Sequence, residues 1–169
     1  MIRDAKIEDL PIIIEIYNTS IPGRMATADL EPVTVDSRLE WFAAHTFDRR
    51  PLWVLEIDGK VKAWLSFRSF YGRDAYRHTA EIGVYVSPEY HRQHLGDRLL
   101  SKALAATPHL DLKTLLAFIF AHNQPSLDLF KKHNFQQWGY LPKIADLNAI
   151  DAPMETRCER DLIILGWQV

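Results

Sequence analysis

Cysteine is nearly absent: the 169 residues contain one, Cys158. A lone cysteine excludes an intrachain disulfide and any cysteine-rich zinc site. An excess of one charge is lacking too. The 20 Lys and Arg nearly balance the 22 Asp and Glu, for a formal net charge of -2. That balance leaves no basic footprint for wrapping duplex nucleic acid. Long apolar runs are also missing. The early run Ile12–Ile14 is cut by Pro11 and Glu15, which is too short for a secretory signal or a membrane span. The 7 Gly and 9 Pro punctuate the chain rather than cluster, so no linker stands out. What is present is a composition 47% hydrophobic and 25% charged, with apolar material enough to offset chain entropy. One soluble domain over residues 1–169 is expected, cytoplasmic, with no nucleic-acid or membrane partner.

Hydrophobic spacing predicts the elements. Ile2–Ala5 reads as a short strand, followed by a helix from Ile7 or Glu8 that carries Pro11 in its first turn. A second helix runs through Leu39, Trp41 and Phe42, capped by Thr34 or Asp36. Leu52–Ile57 and Val61–Phe70 form a hairpin about Asp58-Gly59. Phe70–His78 reads as a loop. Thr79–Val86 alternates as a strand, with Glu81, Gly83 and Tyr85 on one face. A helix over Leu95–Ala106 and a strand over Leu115–Phe120 follow. Another helix begins near Pro125 and ends at Asn134, and the final strands are Phe135–Leu141 and Leu162–Gln168. The order β-α-α-β-β-β-α-β-α-β-β predicts a mixed sheet with helices on both faces, in one α/β domain.

The richest stretch for chemistry runs from Ala80 through Leu100: strand, basic polar turn, helix. N–H groups at a helix start lack intrahelical partners and lie at the positive end of the dipole, a natural cradle for phosphate. Arg92 adds a charge there, and Gly96 permits close approach or an unusual backbone angle. The bland reading is a strand-to-helix connection that binds nothing.

The turn His91-Arg92-Gln93-His94-Leu95-Gly96 resembles the acyl-CoA signature of the GNAT superfamily of N-acetyltransferases, Gln/Arg-x-x-Gly-x-Gly/Ala. His91 departs from it in place of Gln or Arg, and His94 in place of the first Gly. The opening Ile2–Ala5 with Asp9-Leu10-Pro11 and Ile16-Tyr17-Asn18 is similar to the phosphinothricin and methionine sulfoximine acetyltransferase branch. So are Arg73–Tyr76, Thr79–Glu81, Asn123–Leu127 and Lys132–Phe135.

The resemblance implies a GNAT-like α/β fold with a central, mixed, mostly antiparallel sheet. It implies acetyl-CoA as co-substrate and a small-molecule amine as acceptor, with no metal. Pyrophosphate would lie on Arg92, Gln93, His94, Leu95, Gly96 and Asp97. The pantetheine arm would lie along Val84, Tyr85 and Val86, with a hydrogen bond to Asn123. Glu81 falls where the branch has its glutamate and would take the proton of the acceptor amine; the bland alternative is a salt-bridge partner. The acceptor would be held by Tyr71, Gly72, Arg73, Glu81, Ile82 and Gly83, with Phe70 and Tyr76 as walls and Arg73 on a carboxylate. Phe130 stands where many members have a tyrosine that protonates the leaving thiolate, so either the thiolate leaves unprotonated, helped by nearby donors, or another residue serves, with Tyr85 and Tyr140 the candidates.

Other readings follow from single residues. His91 and His94, with His78, could suggest a metal, but no acidic or cysteine ligand stands at suitable spacing. Trp53 and Trp64 flank the hairpin turn and are expected to pack on each other or on a second chain. The hairpin and Tyr140–Pro142 could serve a homodimer. Two alternatives to a small-molecule acetyltransferase are a protein or peptide N-acetyltransferase and a non-catalytic acyl-CoA-binding module.

Overall fold

The computed structural model describes residues 1–148 and 158–169. The elements follow the expected order: β1 Ile2–Asp4, α1 Leu10–Asn18, α2 Leu39–Ala43, β2 Leu52–Ile57, β3 Lys60–Ser69, β4 Thr79–Val86, α3 Leu95–Ala106, β5 Thr114–Phe120, α4 Gln124–Lys132, β6 Gln136–Asp146 and β7 Glu159–Gln168. The strands form one sheet in the order β1-β2-β3-β4-β5-β7-β6. Every pairing is antiparallel except β4 with β5. This is the single mixed, mostly antiparallel α/β sheet that the element order implied.

Local chemistry explains the boundaries. Ile7–Asp9 forms a 3-10 turn before α1, and Pro11 occupies the first turn of α1, where its missing N–H costs nothing. Thr34, rather than Asp36, supplies the side-chain acceptor before α2, taking the N–H of Ser37 at 3.2 Å. Asp58 (φ 49°) and Gly59 (φ 71°) both have the positive φ that a tight hairpin turn demands. Asn134 ends the α4 segment at φ 64°. β6 runs five residues past Leu141, because β7 starts earlier than expected and pairs Ala145 with Arg160 and Asp146 with Glu159.

Alternation sends side chains to two cores. Trp53, Leu55, Leu65, Phe67, Ala80 and Ile82 meet the inner stripe of α3 and α4 on one face. Leu52, Val54, Val61 and Trp64 meet Ile13 and Ile16 of α1 on the other, with Trp41 and Phe42 of α2 packed on them. Trp53 and Trp64 therefore do not pack on each other, the first of the two contacts expected of them. Register pairs Trp53 with Leu65 and Val54 with Trp64, so the two indoles leave the sheet in opposite directions. Trp53 Nε1 donates to Asp4 Oδ1 at 3.0 Å, and Trp64 Nε1 to the Ile13 carbonyl at 3.1 Å.

Among the described residues no helix is long and apolar enough to cross a membrane.

Candidate active site

β4 and β5 pair over only three residues, Thr79–Glu81 with Thr114–Leu116. Beyond Glu81 the two strands part, while β4 stays paired to β3 as far as Val86. The backbone of Ile82–Val86 thus has no strand partner on its β5 side. A fork of this kind can take an extended chain bearing amides as an additional strand.

The turn after β4 leads from the open end of the fork into α3. Arg92 (φ 60°) and His94 (φ 59°, ψ 20°) are both at positive φ, with Gln93 between them at negative φ. Alternating signs of φ turn successive N–H groups toward one side, which suits an anion. His94 stands where the GNAT signature has Gly, and the backbone there has the left-handed conformation that glycine favours. His91 Nε2 meets the Val86 carbonyl at 3.0 Å and closes the turn on β4. Gln93 Nε2 donates to the Glu89 carbonyl at 3.2 Å.

Gly96 differs from expectation in its reason for being glycine. It is buried inside α3 with ordinary helical φ. A Cβ there would lie 3.0 Å from Leu129 Cδ2 and 3.6 Å from Val84 Cγ1. The close approach is therefore between α3, α4 and β4. Asp97 Oδ1 accepts from Lys132 Nζ at 2.7 Å and His133 Nε2 at 2.9 Å. Lys132 first, then His133, hold this carboxyl below its usual range. Its charge is thus matched by α4, and its N–H stays in the first turn of α3.

Asn123 caps α4. Its Oδ1 accepts the Ser126 N–H at 3.3 Å and its Nδ2 donates to the Met25 carbonyl at 3.0 Å. One lone pair and one N–H of the amide remain for a ligand. Phe130, at the position of the usual tyrosine, is buried edge-on against Phe135 at 5.0 Å.

A cavity of about 570 Å³ opens on the opposite face of β4, within the range of small-molecule sites. Glu81, Ile82, Gly83 and Tyr85 line it from β4, and Ser66 and Arg68 from β3. Its far wall is Ala26–Asp29 with Tyr17, Arg38 and Trp41. Glu81 is ion-paired with Arg68, so the bland alternative for Glu81 is realised in the geometry, beside its place in the cavity. A second pair, Arg38 Nη2 to Asp29 Oδ2 at 2.7 Å, lies in the same wall. Tyr17 donates to Asp29 Oδ2 at 2.5 Å and shares a hydrogen bond with Thr27. Burial, followed by the Asp29 carboxylate, pushes the Tyr17 phenol up to about 12. Tyr85 stacks on Trp64 at 4.4 Å between centroids, and its hydroxyl reaches the Ala26 carbonyl at 3.4 Å. Burial pushes its phenol up as well.

The loop expected to hold the acceptor lies elsewhere. Tyr71, Gly72 and Arg73 do not line the cavity. Tyr71 is 78% exposed and, with Phe70 and Tyr76, forms an aromatic cluster outside it. Tyr71 (φ 50°) and Gly72 (φ 60°) both take the left-handed conformation in this loop. Tyr140, a candidate proton donor, instead gives its hydroxyl to Asp161 on β7. The three histidines diverge: His91 turns to Val86, His78 to Asp111, and His94 occupies the N-cap position of α3 without a side-chain cap hydrogen bond.

Asp29, Arg38, Tyr17 and Arg68 were missed by sequence reasoning. Arg68 alone left a signal: it stands on the strand paired with β4, in register with Glu81.

Comparison with known proteins gives a consistent result. The sequence profile of the acetyltransferase (GNAT) family matches residues 12–135. YwnH of Bacillus subtilis strain 168, provisionally named a phosphinothricin acetyltransferase, is 48% identical over 148 residues, 87% of this chain and 90% of that protein. The L-amino acid N-acyltransferase MnaT of Escherichia coli K12 is 31% identical over 169 residues, covering 96% and 98% of the two chains. The crystal structure of a GNAT phosphinothricin acetyltransferase from Sinorhizobium meliloti in complex with acetyl-CoA superposes with a TM-score of 0.87 at 25% identity, covering 100% of this chain and 88% of that one.

Proposed function

Because this chain belongs to the GNAT family of acetyltransferases, we propose that it moves the acetyl group of acetyl-CoA onto the primary amine of an amino acid or amino-acid analogue, of the phosphinothricin and methionine sulfoximine kind. The observation that carries the acceptor class is the Arg68–Glu81 pair inside an aromatic-walled cavity beside the β4–β5 fork. A zwitterion can enter that pair without leaving a charge unmatched, its carboxylate on Arg68 and its ammonium on Glu81. Arg68 takes the role first expected of Arg73.

An α-amino group has a pKa of about 7.7–8.0 and arrives largely protonated at neutral pH. Glu81 accepts that proton, directly or through water, and leaves a lone pair facing the fork. The backbone N–H groups of Ile82–Val86 that face the fork rather than β3 stand ready for the oxyanion of the tetrahedral intermediate. Residues 92–97 and the first turn of α3 hold the pyrophosphate, and Asn123 keeps one donor and one acceptor site for the pantetheine amides. Tyr85 is a poor proton source for the departing thiolate, because its phenol, raised by burial, holds its proton more tightly than a thiol of pKa about 8.5.

The test is release of free thiol from acetyl-CoA across a panel of amino acids, their analogues and N-terminal peptides. Turnover with free amino acids or analogues is expected. Thiol release with peptides alone, or with no amine, would overturn the reading.

A further inference from the structure

The far wall of the cavity, Ala26–Asp29, belongs to a segment with no regular structure between Asn18 and Asp36. Something must hold it, because a loop loses conformational entropy when it is fixed. Within the segment, Arg24 donates to the Leu30 carbonyl at 2.8 Å, closing a short ring of chain. Arg24 itself sits at φ 51°, a conformation that costs free energy and needs support from outside.

That support comes from the junction between β5 and α4. His122 Nε2 meets the Arg24 carbonyl at 2.8 Å, and Asn123 Nδ2 the next carbonyl, Met25, at 3.0 Å. Two adjacent side chains thus hold two adjacent carbonyls, nearly a hundred residues away in sequence. His122 also stacks on Phe120, which lines the cavity, at 5.7 Å and 22°. Since a carbonyl only accepts, Nε2 carries a proton and donates. Nδ1 is buried and has no hydrogen-bond partner among the described residues. A buried ring nitrogen without a partner has a desolvation cost that ring packing alone would not require.

We infer that His122 is a positioning residue for the acceptor: it fixes the Arg24 carbonyl and so sets the wall that carries Thr27 and Asp29. The inference rests on the acceptor cavity assigned above. His122 acts through the loop and touches no reacting atom. Asn123 both holds this loop and caps α4, so one junction fixes the acceptor wall and the helix beside the acyl-CoA turn.

Two variants separate the hydrogen bond from the packing. His122→Phe keeps a ring on Phe120 and removes the donor, and His122→Gln restores a donor without the ring. Loss of one neutral hydrogen bond corresponds to about a fivefold effect. His122→Phe is expected to raise the acceptor KM about that much while the acetyl-CoA KM stays within about twofold. His122→Gln is expected to recover most of the loss. Hydrogen exchange of residues 24–30, which needs no turnover, is expected to quicken in His122→Phe while β4 and α3 stay protected. Unchanged exchange in that segment overturns the inference. So does an equal rise in both KM values, or a His122→Gln enzyme no better than His122→Phe. If the wild type acetylates no amine, the proposed function fails and exchange alone decides the role of His122.

Discussion

On the side of the sheet covered by α3 and α4, the candidate acyl-CoA turn is built from consecutive residues and largely from backbone: a fork edge at Ile82–Val86, two positive-φ residues and a helix start. On the side of α1 and α2, the cavity is built from residues contributed by α1, the 26–29 loop, Arg38, α2 and the strands β3 to β7. The first site is fixed once the local chain is fixed. The second depends on register and on distant packing, so a change in one segment alters what another presents. Substitutions on the two sides should therefore divide cleanly between donor and acceptor kinetics.

The largest effect is expected at Glu81, where the two sides meet. Glu81→Gln keeps shape and removes basicity, and kcat should fall about 10²–10⁴-fold at neutral pH with acetyl-CoA affinity retained. Raising the pH should recover part of this, because more acceptor is then neutral. Unaltered kcat with a loss of stability would leave Glu81 only as the partner of Arg68.

Next comes the acceptor carboxylate. Arg68→Ala should raise the acceptor KM more than about tenfold, since a charge-assisted hydrogen bond is worth about 1.5–3 kcal/mol. Arg73→Ala should leave the acceptor KM near wild type, because Arg73 lies outside the cavity. Steady-state kinetics with both substrates varied would reverse the assignment if Arg73→Ala had the larger effect.

Gly96→Val probes the other side. Its side chain must displace Leu129, so overpacking should cost about 1–3 kcal/mol in thermal or denaturant unfolding. Acetyl-CoA affinity should weaken with the shifted first turn of α3, and the acceptor KM should not move. A stable variant with unchanged acetyl-CoA affinity would break the division.

A smaller effect of opposite sign is expected at His94. Glycine removes a left-handed strain of about 1–2 kcal/mol but adds unfolded-state entropy, for a net gain of about 0.5–1 kcal/mol in His94→Gly. The smallest effect concerns pH. The Asp97 carboxyl is depressed by Lys132 and His133, so its contribution is present above its unfolded pKa of about 3.9 and is lost as pH falls through the lower folded value. Asp97→Asn should flatten that part of the acid unfolding curve.

The same contrast explains what the sequence showed. The turn from His91 to Gly96 was legible because its six residues are contiguous, and even the departure at His94 fell where the backbone is left-handed. Elements with strong periodicity, Thr79–Val86 and Leu95–Ala106, were found to the residue. Asp29, Arg38 and Tyr17 were not found, because an irregular loop has no period that tells which side chain turns inward. The resemblance points to Arg73 by its place in the loop before β4, and the positive φ at Tyr71 and Gly72 leaves no mark in residue types other than the glycine. The burial of Trp53 in one core and of Trp64 in the other follows from register, which two residues flanking a turn do not reveal by themselves.

The three-residue pairing between β4 and β5 has a mechanical consequence. Among the described residues it is the one strand pairing that joins the half-sheet β1–β4 to the half-sheet β5–β7–β6, and it is short for a central position. An extended ligand lying in the fork replaces missing rungs of the ladder and becomes a keystone between the halves. Donor binding should then stiffen the protein as a whole. A ligand at a hundred times its Kd adds about 2.7 kcal/mol to the folded state, so the donor would be a structural member as well as a reagent, and the two half-sheets would be held most tightly when the acetyl group is in place.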